Sequence, residues 1–197
     1  PWYLSAFSLG TAASFYFTGL GADALPWRDV FLLAGAVQFI CLLMVYFVIA
    51  ERPPERDKFP DRHPLDFRPV FTNRPAVAYI WGYTGHTYEL FACRAWIVAF
   101  LLFAAAASDT AVTRETVSGY AALFSLLGMP ASLLGAHLSL RRERKQTISI
   151  VMMLSVITGS MLGFIGALPF ILVLILAGLY SALIMIDSAA LTGGVVA

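Results

Sequence analysis

Polar side chains are distributed very unevenly along this chain, and the gaps between them are long. Residues 1–22, 30–50, 116–140 and 146–186 contain no Asp, Glu, Lys or Arg. Each run reaches or exceeds the roughly 20 residues that a helix needs to cross a bilayer. The last is long enough for two crossings, and Gly166-Ala-Leu-Pro169 interrupts it where one helix would end and its neighbour begin. A further apolar stretch, 76–104, carries His86, Glu89 and Arg94 without losing its span character. The pattern therefore predicts six transmembrane helices, at 2–22, 28–49, 76–104, 118–139, 147–167 and 170–194. The runs are continuously apolar and lack the alternation of barrel strands, so the expected fold class is all-α, a polytopic transmembrane helical bundle.

The charged residues between these runs set a topology. Six basic residues lie between Ala50 and Pro75 (Arg52, Arg56, Lys58, Arg62, Arg68, Arg74) and four more at Arg141, Arg142, Arg144 and Lys145. The other side would hold only Arg28 and Arg114. Positive loops stay cytoplasmic, so both basic loops, and with them both ends of the chain, are expected in the cytoplasm of a multi-pass protein of the plasma (inner) membrane.

Composition narrows the class further. Hydrophobic residues make up 59% of the chain against 13% charged, which leaves no segment for a soluble domain. The net charge of +1 offers no electrostatic attraction for nucleic acid, so the lipid bilayer is the expected partner. Cys41 and Cys93 both fall inside predicted spans and have no paired spacing, so they read as packing residues. No metal site or cofactor is expected: there is no H-E-x-x-H, no G-x-S-x-G and no nucleotide-binding loop. The missing initiator Met and the apolar Gly193-Gly-Val-Val-Ala197 ending suggest a fragment whose remaining helices lie elsewhere on the same chain. Residues 51–75, with charges of both signs and Pro53, Pro54, Pro60, Pro64 and Pro69, read as a linker between 1–50 and 76–197.

Candidate chemistry concentrates in the third span, Gly82-Tyr-Thr-Gly-His86-Thr-Tyr-Glu89-Leu-Phe-Ala-Cys93-Arg94-Ala-Trp96. At about 1.5 Å per residue, Glu89 lies about 20 Å from the start of its span, near the middle of a membrane. A charge there costs about 2.5–3.5 kcal/mol on insertion scales, so such residues face a protein interior or a wet cavity. His86 and Glu89, three apart, share a helix face with Cys93 and Trp96, whereas Arg94 lies about 140° around from Glu89. Glu89 and Arg94 therefore need partners on other helices. Glu89 is the candidate proton acceptor, His86 its tuning or relay group, and Arg94 the candidate for binding an anionic substrate or neutralising Glu89. Tyr79, Trp81, Tyr83, Tyr88 and Trp96 are candidate cavity-lining aromatics, with Trp2, Tyr3, Trp27 and Tyr120 as interface anchors.

A short outer turn ending in Pro26-Trp27-Arg28-Asp29-Val30-Phe31, a span with Gly35 and then the basic linker together resemble the sixth helix and central loop of the major facilitator superfamily (MFS), twelve-helix transporters built from two six-helix halves. On that alignment the six spans resemble family helices five to ten, a partial MFS fold. The family motif G-x-x-x-x-D-R-x-G-R-[RK] falls between the fourth and fifth spans. This sequence keeps Gly135, Arg141, Arg144 and Lys145 but has Leu140 for the acid and Glu143 for the second Gly. Gly10 and Gly19 match the spacing of the family's antiporter motif, but Leu20 stands where Pro belongs.

The resemblance implies a secondary active transporter that moves a small solute by alternating access, coupled to a proton. It also implies a cytoplasmic gate formed by Gly135, Arg141, Arg144, Lys145 and Asp187; Asp187, toward the cytoplasmic end of the last span, would pair there with Arg141 or Arg144, its alternatives being substrate or proton binding or a satisfied helix-end acid. The rival reading is a six-span protein without transport activity: an intramembrane enzyme, a sensor or an assembly subunit, the last of which would need no charges at the midplane.

Overall fold

The computed structural model of the chain describes residues 2–51, 63, 66–164 and 168–196. These form seven helices, α1 Trp2–Ala24, α2 Trp27–Val48, α3 Arg68–Thr72, α4 Arg74–Ala107, α5 Arg114–Arg141, α6 Arg144–Leu162 and α7 Phe170–Val196, and no strand among the described residues. The six long helices coincide with the six expected spans, and α3 is a single turn leading into α4. Most of the proline-rich linker, 52–62 with 64 and 65, lies outside the described residues, as does Gly166 of the expected hairpin break.

Five of the helices, α2 and α4 to α7, are both long enough and apolar enough to cross a membrane. At 23 residues α1 is long enough, but it is not among those five. Its sequence is diluted by Ser8, Gly10, Thr11, Ser14, Gly19 and Gly21. Part of this set serves packing: Ser8 and Ala12 are buried, and the backbone at Gly19 lies so close to Ser118 of α5 that a Cβ would have no room. Small residues allow membrane helices to approach in this way, where packing and not hydrophobicity drives association.

Local sequence explains where the helices begin and end. Asn73 caps α4, its side chain accepting from the Ala76 amide at 3.2 Å with Pro75 in the first turn. Thr113 caps α5, accepting from the Thr116 amide at 3.1 Å. The Pro169 carbonyl accepts from the Leu172 amide at 2.9 Å and starts α7 where the sequence break predicts a new helix. Pro130 leaves α5 continuous as a helix. The longest helix is α4, whose 34 residues span about 51 Å, well beyond a hydrocarbon core of about 30 Å.

The packing order is simple. Helix α5 lies between α1 and α7, and α7 also contacts α4 and α6, whereas among the described residues α2 contacts only α1 and buries none of its residues. One apolar cluster, including Leu101, Ala104, Val117, Ala121, Phe124, Val173 and Ala177, joins α4, α5 and α7. It fills the end of the bundle where α4 finishes and α5 and α7 begin, and His86, Glu89 and Asp187 lie beyond it, further from that end.

Candidate functional site

The candidate site is built on a seam between α4 and α7, which run antiparallel. Gly82 lies against Leu191, His86 against Asp187, and Cys93 against Ser181, so the α7 partner number falls as the α4 number rises. On α7 a single face carries Tyr180, Ile184, Asp187 and Leu191, the grouping expected from helical spacing, and Ile184, Asp187 and Leu191 are all but fully buried. On α4 the buried stripe is His86, Ile97, Leu101, Ala104 and Ala105. Trp96, expected on the face of His86, is instead exposed.

At the centre of the seam His86 Nδ1 and Asp187 Oδ1 stand 2.9 Å apart, and both residues are 1% exposed. This corrects the expected pairing of Asp187 with Arg141 or Arg144, since the acid turns toward α4. The expectation placed Asp187 near the end of its helix, but nine residues of α7 follow it. Its level in the bundle is that of His86, twelve residues into α4. Neither His86 Nδ1 nor Asp187 Oδ1, nor the second carboxyl oxygen Oδ2, has a hydrogen-bond partner, so the contact is close without being an aligned hydrogen bond. The Tyr83 ring lies over the imidazole, with centroids 5.7 Å apart.

Glu89, one turn further along α4, points elsewhere. Its Oε1 accepts from the Ser155 hydroxyl of α6 at 2.5 Å. The Tyr180 phenol of α7 also lies beside this carboxyl group. Tyr180 reaches it across Gly159 of α6, where an added Cβ would meet the ring at 2.9 Å. Sequence reading did not identify Ser155 or Tyr180 as neighbours of Glu89. The available signal was the spacing of Thr147, Val151, Ser155, Thr158 and Leu162, a stripe at helical period that forms the buried face of α6.

The partner of Arg94 is aromatic. Its guanidinium sits 4.6 Å from the centre of the Phe7 ring on α1, so a side chain of the third span reaches the first. Among the described residues it has no carboxylate partner. It lines a small cavity with Phe15, Cys93, Ser125, Ser181 and Met185, whose volume of about 30 Å³ suits water and is too small for an organic solute. The Ser125 and Ser181 hydroxyls already donate to backbone carbonyls one turn back, so they offer this space only acceptor lone pairs.

The basic turn is compact. Arg141 ends α5, Arg142 and Glu143 make the connection, and Arg144 and Lys145 open α6. Leu140, which stands where the motif has its acid, is 84% exposed and caps nothing. Arg144 is partly buried, and its Nε has no hydrogen-bond partner. Gly135 is buried where α5 crosses α7, and a Cβ there would collide with the Ile186 carbonyl. This glycine thus allows the close backbone contact that places Asp187, the next residue of α7. Among the other aromatics, Trp81, Tyr83, Tyr88 and Trp96 are exposed on α4 and do not line the cavity. Trp27 is exposed with Arg28 over its ring, and Tyr120 packs near Phe170, while the side chains of Trp2 and Tyr3 lie outside those described.

Long apolar helices that enclose ionisable residues at mid-depth define a polytopic integral membrane protein with a polar interior. A family model described as the Major Facilitator Superfamily matches residues 2–196, and the chain belongs to that family of membrane transporters. No curated protein and no solved structure matches it significantly.

Proposed function

We propose that the chain forms part of a proton-coupled secondary transporter in which Glu89 takes up and releases the coupling proton while a small solute crosses by alternating access. The observation that carries this reading is the position of Glu89, a carboxyl group mid-way along a membrane-spanning helix and held by hydroxyls from two others. Protonation would weaken those bonds and loosen α4 from α6 and α7, which links proton movement to helix movement. Arg94, with no acid beside it, is the group suited to an anionic solute. His86 would tune this part of α4 through its contact with α7. Gly135, Arg141, Arg144 and Lys145 would form the cytoplasmic gate, and Asp187 would act one level deeper.

The same reading assigns 1–50 to the end of a first transporter half, 51–75 to a cytoplasmic linker and 76–197 to the start of a second half. Helices α4 to α7 pack on one another, while α1 packs on α5 across this division.

The test uses the full-length protein in proteoliposomes and a panel of labelled organic acids, amino acids and sugars. An inward proton gradient should drive accumulation by the wild type. Glu89→Gln should abolish gradient-driven accumulation while retaining solute exchange at equal pH. If Glu89→Gln accumulates solute like the wild type, the coupling role is wrong.

A further inference from the structure

We propose that the single turn α3 is an anchor in the membrane surface: Phe67, Val70 and Phe71 enter the phospholipid interface, Arg68 and Arg74 contact lipid phosphates, and the turn thereby sets the depth at which α4 sits in the bilayer. The inference goes beyond the transport reading and does not depend on it.

Phe67, Val70 and Phe71 stand at i, i+3 and i+4, so they share one side of a helical turn. All three are exposed, Phe71 at 75% and Phe67 at 57%. Pro69 and Thr72 take the opposite side, where the Thr72 hydroxyl donates to the Arg68 and Pro69 carbonyls. Among the described residues α3 packs only on α4. Phe67 and Phe71 line an open groove together with His63, Asp66 and Arg68. The Asp66 carboxylate is engaged at the start of the turn, its Oδ1 accepting from the Arg68 amide at 3.2 Å.

The position of α3 along the chain decides what covers its apolar side. Asn73 alone joins it to α4, ending one helix and capping the other. After Arg74 the chain has no Asp, Glu, Lys, Arg or His until His86. The hydrocarbon therefore begins within the first turns of α4, and α3 lies at the level of the headgroups. Apolar side chains at this level gain by entering the acyl boundary. Arg68 and Arg74, at the two ends of the turn, are both exposed, and a guanidinium there can bind phosphate oxygens through two parallel N–H donors. With α3 held in this layer, α4 cannot rise without drawing two phenyl rings into water. At 34 residues α4 is longer than a crossing requires, so its length does not fix its depth. The anchor does, and with it the level of Glu89.

Spin labels carried singly on cysteines at positions 67, 70, 71 and 72 test this in the full-length protein, freed of Cys41 and Cys93 and reconstituted in vesicles of phosphatidylcholine with phosphatidylglycerol. Collisions with dissolved oxygen report lipid, and collisions with a water-soluble nickel chelate report water. The oxygen-to-nickel ratio should be several-fold higher at 67, 70 and 71 than at 72. Equal ratios at all four, the pattern of a turn in water, would overturn the proposal. Exclusion of both reagents from the first three, the pattern of a turn covered by protein, would overturn it as well. Because each label replaces the side chain it reports on, Phe71→Asp is measured with the label at 70, where the ratio should fall several-fold and Phe71→Leu should preserve it. An unchanged ratio in Phe71→Asp would show that this side does not enter lipid. The same variant should raise nickel access to a label at Ala78, one turn inside α4, and unchanged access there would refute the depth-setting role. Arg68→Gln combined with Arg74→Gln should lower the ratio at 71, and no change would refute the phosphate contacts. No readout involves solute or a proton gradient, so failure of the anchor and failure of the Glu89 coupling role are told apart.

Discussion

At the level of single residues, the acids and bases of this chain differ in what their neighbours allow. Glu89 is half-buried with hydroxyl partners, and Asp187 is sealed with an imidazole. Removing the Ser155 hydroxyl takes away a hydrogen bond to the Glu89 carboxyl group, a contribution of about 0.5–1.5 kcal/mol. Ser155→Ala should therefore lower the thermal unfolding midpoint in detergent, and Ser155→Thr should restore part of the loss. Arg94→Lys keeps the charge but weakens the planar contact with Phe7, and is expected to cost about 0.5–2 kcal/mol in the same measurement. The sequence made His86, Glu89, Arg94 and Asp187 conspicuous because charges are rare in apolar runs. It did not show their partners, because Ser155, Tyr180 and Phe7 are unremarkable in membrane helices until the helices that meet are known.

At the level of helices, the deciding contacts are made by residues without side chains. Gly135 lets α5 meet the backbone of α7 at Ile186, and Gly159 lets Tyr180 cross α6. Gly135→Ala should destabilise the bundle by about 1–3 kcal/mol through overpacking. Gly119→Ala, on the same helix with nothing within 4 Å of the added carbon, should be neutral or slightly stabilising because Ala is the better helix former. Thermal unfolding of the two variants side by side checks the contrast. Helix ends were readable from Asn73, Thr113 and Pro169, since capping and proline chemistry act locally. Crossing points were not, because a glycine that packs and one that faces open space look alike in sequence.

For the whole molecule, apolar run length predicts the number of crossings, and Lys and Arg placement predicts which loops share a side. The bundle agrees in having two helices, α4 and α5, between the linker and the basic turn, which returns both to one side. Cysteines introduced singly at Arg68 and Lys145, in a protein freed of Cys41 and Cys93, should react with an impermeant maleimide from the same face of sealed vesicles. One at Asp109, in the turn between α4 and α5, should react only from the other. Labelling of all three from one side would overturn the topology. What sequence patterning could not convey is the unequal role of the helices: α2 is among the most apolar yet buries nothing, while the more diluted α1 makes an intimate contact with α5.

The antiparallel seam of α4 and α7 also restricts how those helices can move. A slide of one turn would carry His86 opposite Leu183 or Leu191 and Cys93 opposite Ala177 or Met185, breaking both polar contacts of the seam and setting His86 and Cys93 against apolar side chains. A ratchet between these two helices therefore has no second resting place. They can separate and meet again, but they cannot shear, and rocking is the motion left to them.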